Sequence, residues 1–322
     1  MRVMHIHPAA SGPVVGGAEL LDRAAETKDG WLWVDLESPD PAEERALLCE
    51  RFGIHPLALQ DARRERHPPK LEVFGDIAFV LLKGLTAETR DIRYETLQLA
   101  AFVGDKFLIT RRDERSVSID QAWSEAIDGE LDTRLGPAHV LYRVVRLVTD
   151  RYTNIVLALE LRLDELENEM FTSPQDQLLA ELTEYNGRLK KLRRVLTYQH
   201  AAMTGLARVS SPSCFLGTRH EFNDLYENNE RLASLCALYQ ELAVDLMQSY
   251  ISLSSHRLNQ IIKVLTIVTV VFLPLGLIAG LYGMNVAEIP GGAGRYGFFL
   301  ILFAMAILAG VLLLVFRRLK WI

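Results

Sequence analysis

Two stretches near the C-terminus constrain this chain of 322 residues more than any other feature. Positions 264–281 give 18 consecutive uncharged residues and 298–316 give 19, against the roughly 20 apolar residues that cross a ~30 Å hydrocarbon layer as a helix. Separated by a short loop, they predict a membrane hairpin. Beyond Lys263 the charged residues are Glu288, Arg295, Arg317, Arg318 and Lys320, a net of +3, so the first 263 residues carry −9 while the whole chain carries −6. An acidic soluble body therefore precedes the membrane part. Arg257 and Lys263 flank the first span and Arg317, Arg318 and Lys320 follow the second, whereas the connecting loop offers Arg295 alone; both termini are expected to be cytoplasmic. The opening MRVMHIHPAASGP lacks the apolar run of a signal peptide, so no cleaved signal is expected, and it reads as a mobile tail carrying His5 and His7. Cys49, Cys214 and Cys236 are odd in number and form no CxxC, which suits a reducing compartment and argues against a thiolate metal site.

The soluble part divides in two. WLWVDLESPDPAEERALLCERFG predicts a strand, a turn at positions 38–41 and a helix whose early Glu43 and Glu44 suit its N-terminus. DIAFVLLKGL (76–85), TLQLAAFVG (96–104) and DKFLITRR (105–112) predict three more strands, the last two joined as a hairpin at Gly104 and Asp105. From Pro137 onward the pattern is helical, with TSPQD at 172–176 ending one helix and capping the next. The first arm carries Glu160, Asp164, Glu165, Glu167 and Glu169, the second Arg188, Lys190, Lys191, Arg193 and Arg194. A basic run on a helix in an acidic protein reads as a solvated or paired face, and no nucleic-acid partner is expected. Leu225, Leu232, Tyr239, Leu246 and Leu253 then repeat every seven residues in a stretch free of Pro and Gly from Thr218 to Pro274. About 50 such residues make a rod of roughly 75 Å that continues into the first span. The expected divisions are an α/β domain over 1–135, a long helical hairpin over 136–216, a stalk helix over 217–263, a first span over 264–285, a loop over 286–297, a second span over 298–316 and a basic tail over 317–322.

The first span has more polarity than an anchor needs. Thr266, Thr269, Leu273, Gly276 and Gly280 fall near one face, with Asn259 two turns before Thr266. Small and weakly polar residues let helices pack closely; arranged around an axis, the same face lines a narrow pore. At the exit, Asn285 offers a neutral amide. A ring of such amides accepts hydrogen bonds from the water shell of a cation without the deep binding a carboxylate ring imposes, which suits Mg²⁺ because that ion dehydrates reluctantly. Gly283 permits the tight backbone that presents it.

The stretch KVLTIVTVVFLPLGLIAGLYGMN, from Lys263 to Asn285, resembles the first membrane helix and GMN signature of the CorA superfamily of divalent-cation transport proteins. WVDLESPDPAE, FGIHPLALQDA, PPKLEVFGDIAFVLL and the ending FRRLKWI extend the resemblance over nearly the whole chain. It implies a funnel-shaped homopentamer in the inner membrane with an α/β cytoplasmic domain, a stalk helix that becomes the pore-lining first span, and a second span facing lipid. Gly283, Met284 and Asn285 match the signature at the periplasmic mouth; Asn259 matches a polar ring low in the pore, and Leu265 and Leu273 match hydrophobic constrictions. Asp224 aligns with a carboxylate that holds regulatory metal between subunits, and Glu227 lies one turn further along. Mg²⁺, Zn²⁺, Co²⁺ and Ni²⁺ are the implied cargo and regulators, with no catalytic cofactor.

Three departures matter. Gln248 stands at a position that is acidic in magnesium members, with Asp245 one turn away, and Gly276 replaces a threonine. The loop NVAEIPGGAGRYG contains an IPGG that resembles the ZntB zinc-transport branch, and its Glu288 supplies one carboxylate per subunit that can attract cations outside. The histidines are scattered, with no HExxH or Cys/His cluster for a structural zinc. His256, one turn before Asn259, Asp245 and Glu288 are the titratable candidates for proton coupling. Inward movement of a divalent cation gains about 4.6 kcal/mol per 100 mV from the potential alone, and the chain has neither GxxxxGK[ST] nor GxGxxG after a strand. Divalent-cation transport is the expected function, with ZntB-like proton-coupled zinc transport and a membrane-anchored regulator with a closed pore as alternatives. No enzyme is expected.

Overall fold

The computed structural model describes residues 1–10, 12–26, 30–64, 67–89, 92–172, 175–284 and 296–321. They fall into two compact units, Met1–Met247 and Gln248–Ile322.

The first unit begins with β1 (Arg2–Ile6), β2 (Val14–Gly16), α1 (Glu19–Glu26), β3 (Trp31–Glu37), α2 (Pro41–Arg45) and α3 (Pro56–Arg63). It continues with β4 (Lys70–Phe74), β5 (Ile77–Leu85), β6 (Thr96–Gly104), β7 (Phe107–Arg112) and α4 (Val117–Asp128). The seven strands form one sheet in the order β2-β1-β3-β7-β6-β5-β4. β3 and β7 pair in parallel, with Leu32 opposite Phe107 and Glu37 opposite Arg112, and every other neighbour is antiparallel. The expected hairpin is present, with Gly104 opposite Phe107. One sheet face packs Val3, Val34, Phe79, Phe102 and Ile109 against Leu20, Leu48, Ile54 and Leu59 from α1 to α3. The other carries Trp33, which packs on Trp123 of α4 with ring centroids 4.7 Å apart. Residues 98–103 of β6 are buried without a break; helices cover both faces, so a central strand loses the polar alternation of a half-exposed one.

The N-terminal tail expected to be mobile is instead strand β1, paired with both β2 and β3. Val3 and Met4 point to opposite faces and both are 0% exposed, so the segment shows no alternation that would mark it as a strand. The turn before α2 is capped by Asp40, whose carboxylate accepts from the backbone N–H groups of Ala42 and Glu43 at 2.9 and 3.2 Å, and Pro41 occupies the first helical turn, where its missing N–H costs nothing. Glu44 does more than suit the helix N-terminus. It is buried and receives Arg63 at 2.8 Å and Arg111 at 3.0 Å.

Two long helices follow, α5 (Pro137–Thr172) and α6 (Asp176–Arg208). Of the segment expected to cap α6, Gln175 stands directly before the helix and makes no side-chain capping hydrogen bond, and residues 173–174 lie outside the described residues. The oppositely charged arms do not pair as blocks either. Arg162, within the acidic arm, gathers Glu165, Glu169 and Glu181 at 2.9 Å each. The tip of an antiparallel hairpin brings 160–169 beside the start of α6, not beside its basic run.

The next helix, α7, runs without interruption from Arg219 to Tyr282. Leu225, Leu232, Tyr239 and Leu246 of its repeat are buried, while Leu253 is half-buried. The helix continues through Pro274, whose missing N–H leaves the Val270 carbonyl without its usual donor. The second unit holds the last part of α7 and α8 (Gly297–Arg318). Both helices are long and apolar enough to cross a membrane.

Candidate functional site

In the span from 264 to 284, Val271 is the one buried residue among those described. Ile267, Pro274 and Ile278 beside it are half-buried. At about 100° per residue these positions form a single stripe, and Lys263 extends it downward. There the Lys263 ammonium donates to the Lys320 carbonyl at 3.1 Å and lies 6.0 Å from the Trp321 ring, which in turn packs on Phe316 of α8. This closes the base of the hairpin. The sequence places Lys263 in the charge balance and at the start of the signature stretch; its pairing with the tail depends on the return path of α8.

Thr269, Leu273, Gly276 and Gly280 lie on the side of the helix roughly opposite Val271, and all are exposed, Leu273 at 71%. Leu265 is 63% exposed and Asn259 is exposed on the flanks of that face, with Thr266 half-buried. The face that the sequence singles out is therefore exposed within the single chain. The Thr266 and Thr269 hydroxyls donate to the carbonyls of Ile262 and Leu265 at 2.7 and 2.8 Å. This satisfies each O–H within the helix and leaves the oxygen lone pairs as acceptors. A turn below Asn259, His256 Nε2 and Gln260 Nε2 are 3.0 Å apart, the amide donating to the ring nitrogen.

At the upper end the Gly283 N–H closes onto the Ala279 carbonyl at 2.9 Å. A Cβ added at Gly283 would stand 3.0 Å from that carbonyl oxygen, closer than side-chain carbons normally approach. The glycine thus serves the tight end of the helix. Met284 is 54% exposed. Asn285 and Glu288 lie outside the described residues.

Asp224 and Glu227 are both exposed on α7. Glu227 accepts from Asn223 Nδ2 at 2.8 Å, and Asp224 lies within the field of Arg146, whose guanidinium donates to the Tyr142 hydroxyl at 2.7 Å. Among the described residues no three His, Cys, Asp or Glu side chains converge as a metal-binding group, so these two carboxylates are not assembled into a site by one chain. Asp245 and Gln248 are likewise exposed.

The profile of the family described as CorA-like Mg²⁺ transporter protein matches residues 28–318. The Bacillus subtilis protein YfjQ is 29% identical over 301 residues, covering 94% of this chain and 93% of its own. The zinc transport protein ZntB of Pectobacterium carotovorum is 24% identical over 292 residues, covering 90% and 88%. Among solved structures, the CorA magnesium transporter of Methanocaldococcus jannaschii superposes with a TM-score of 0.80 at 24% identity, over 99% of this chain and 98% of its own. Shared fold along the whole length, two membrane-competent helices and a family profile reaching from just before β3 to the end of α8 lead to one assignment: the chain belongs to the family of CorA-like Mg²⁺ transporter proteins.

Proposed function

We propose that this protein carries divalent cations across the inner membrane through a pore built where the open face of α7 meets its copies around a symmetry axis. The observation that carries this reading is that the Val271 side of the first span is covered within the chain while Thr269, Leu273, Gly276 and Gly280 on the other side are exposed. In a single anchor such a face would meet lipid, where small and hydroxylated residues gain little. Around an axis it presents hydroxyl acceptors and glycines to a hydrated ion, with Leu265 and Leu273 as apolar constrictions. The resemblance to CorA proteins favours five copies, with both termini cytoplasmic and the α/β domain, helical hairpin and stalk below the membrane.

Asn285, with Gly283 and Met284, serves as the ring that receives the cation with its waters, and Glu288 draws cations to the outer mouth. Asn259 forms a polar ring at the inner end. Asp224 and Glu227, exposed and unassembled in one chain, take regulatory metal together with groups from a neighbouring subunit. Occupancy of that site would favour one arrangement of the ring over another by its differential affinity. The cargo is Mg²⁺ or Zn²⁺, with Co²⁺ and Ni²⁺ as further substrates; the IPGG of the outer loop and the likeness to a ZntB protein favour including Zn²⁺.

The test is ion flux into liposomes containing the purified full-length protein, with Mg²⁺, Zn²⁺, Co²⁺ and Ni²⁺ compared with and without a pH gradient. Voltage-driven flux that Asn285→Ala reduces or makes less selective supports the pore. Zn²⁺ flux that requires the pH gradient would instead assign the proton-coupled zinc mechanism. Intact oligomer with no flux of any of the four ions would refute transport and leave a regulatory protein.

A further inference from the structure

A polar groove in the first unit is not used by the proposed ion path. It opens where Lys83 of β5, Thr96 and Gln98 of β6 and the segment just after β7 meet α6, and its volume is about 730 Å³. A second hollow of about 330 Å³ shares Arg194 and Tyr198 with it and continues along α6 past Lys190, Arg193 and Thr197 to Gln240. Each is within the size range of small-molecule sites.

The charge along this groove is ordered. Lys190, Arg193 and Arg194 have no carboxylate partner among the described residues, whereas Arg162 on the neighbouring arm is surrounded by glutamates. Asp113 and Glu114 line the first hollow and not the second, which makes the first the acidic end, and Asp113 is already bonded to Arg111 at 2.6 Å. At the junction stands Tyr198, 49% exposed, on the same helix as the cations. The floor is fixed: Lys83 Nζ donates to Gln98 Oε1 at 2.8 Å, and Gln98 Nε2 is tied to the carbonyls of Asp61 and Ala62 at 3.3 and 2.9 Å. Desolvation holds the Lys83 ammonium below its ordinary lysine value.

We propose that this groove is a binding site for a nucleoside polyphosphate, with the phosphates against Lys190, Arg193 and Arg194 and the base on the ring of Tyr198. Guanidinium groups bind phosphate oxygens through paired hydrogen bonds, and an aromatic face accepts any base by stacking. The acidic end repels phosphate and accepts hydrogen bonds from hydroxyl or amino groups, so the orientation follows from the charge order. This inference is independent of the cargo and of the pore.

The measurement is calorimetric titration of the full-length protein in detergent micelles with ATP, inorganic tripolyphosphate and adenosine, at one fixed Mg²⁺ concentration and physiological ionic strength. Saturable binding of one ATP per chain is expected. Arg193→Ala with Arg194→Ala should weaken it by about tenfold or more. Tyr198→Ala should weaken ATP and leave tripolyphosphate unchanged, and Lys191→Ala, outside the groove, should change nothing. Arg193, Arg194 and Lys191 are exposed, so unchanged thermal transitions are expected for these variants. Absence of saturation at millimolar ATP overturns the proposal, as does an equal loss from Lys191→Ala. Tripolyphosphate binding as tightly as ATP, with no effect of Tyr198→Ala, would overturn the nucleotide assignment.

Discussion

Asp35 is the residue whose loss the sheet should tolerate least. It is 1% exposed in the middle of β3, and its carboxylate receives Arg112 Nη2 at 3.0 Å, Arg2 Nε at 2.9 Å and the Thr110 hydroxyl at 2.7 Å. Arg112 is also 1% exposed, and its Nε and Nη1 have no hydrogen-bond partner among the described residues. Asp35→Ala therefore removes the one fully buried carboxylate that faces this guanidinium; where no partner is left, such a change generally costs about 3–5 kcal/mol. Glu37 and Asp120 remain at 3.1 and 2.9 Å from the same Nη2, so the lower end, about 3 kcal/mol, applies. In a unit of this size 1 kcal/mol moves the midpoint by about 2–4 °C, which gives a fall of about 6–12 °C. Tryptophan fluorescence of the full-length protein in detergent reports it, because Trp31, Trp33 and Trp123 all lie in this unit. Asp22→Ala, which breaks the pair with Arg51 at a carboxylate 82% exposed, should cost no more than about 1 kcal/mol. Asp35→Leu combined with Arg112→Met should recover most of the loss, because removing both partners leaves no stranded charge. A fall below about 2 °C for Asp35→Ala would refute the reasoning, showing that the remaining carboxylates satisfy Arg112 without it.

Other outcomes follow from the same geometry. Gly276→Leu places a side chain where nothing lies within 4 Å in the chain, so the thermal transition should be unchanged while cation flux into liposomes falls at least tenfold; unchanged flux would remove this face from the pore. Asp120 carries an acid-sensitive contribution: burial alone would raise its carboxyl, but the hydrogen bond from Arg115 and the charges of Arg112 and Arg2 outweigh it and hold the group below the ordinary aspartate value. That stability is present above the unfolded value of about 4 and is lost as pH falls through the folded one. The difference in unfolding midpoint between the natural protein and Asp120→Asn should accordingly shrink on acidification below about pH 4, and a difference that stays constant would discount the ion pairs. Lys263→Met removes the donor to the Lys320 carbonyl; protease access to the C-terminal tail should rise in reconstituted protein, and an unaltered digestion rate would show that the Trp321 packing suffices.

What the sequence disclosed depended on how each segment is buried. β5, β6 and β7 were legible because their runs are rich in β-branched and aromatic residues and the last two meet in a clear turn at Gly104 and Asp105. β1 was hidden because both its faces are covered, and β2 because Val14 and Val15 are exposed on an edge. The membrane hairpin was legible from composition alone, and so was the polar face of its first helix, which repeats with helical spacing. Which side of that helix is covered was not, since the buried Val271 and the exposed Phe272 are both strongly apolar. Asp224 marks a further limit: its proposed metal partners belong to another copy, and no property of one chain can display them.

The place of β1 has a practical consequence. It fills the position between β3 and the three residues of β2, so trimming the first six residues would do more than shorten a terminus. It would expose the seven-residue flank of β3, with unpaired N–H and C=O groups set in an apolar strand, which is a template for intermolecular pairing. A truncated preparation should therefore self-associate in proportion to its concentration, and a purification tag belongs ahead of Met1, which is 52% exposed, without replacing any residue after it.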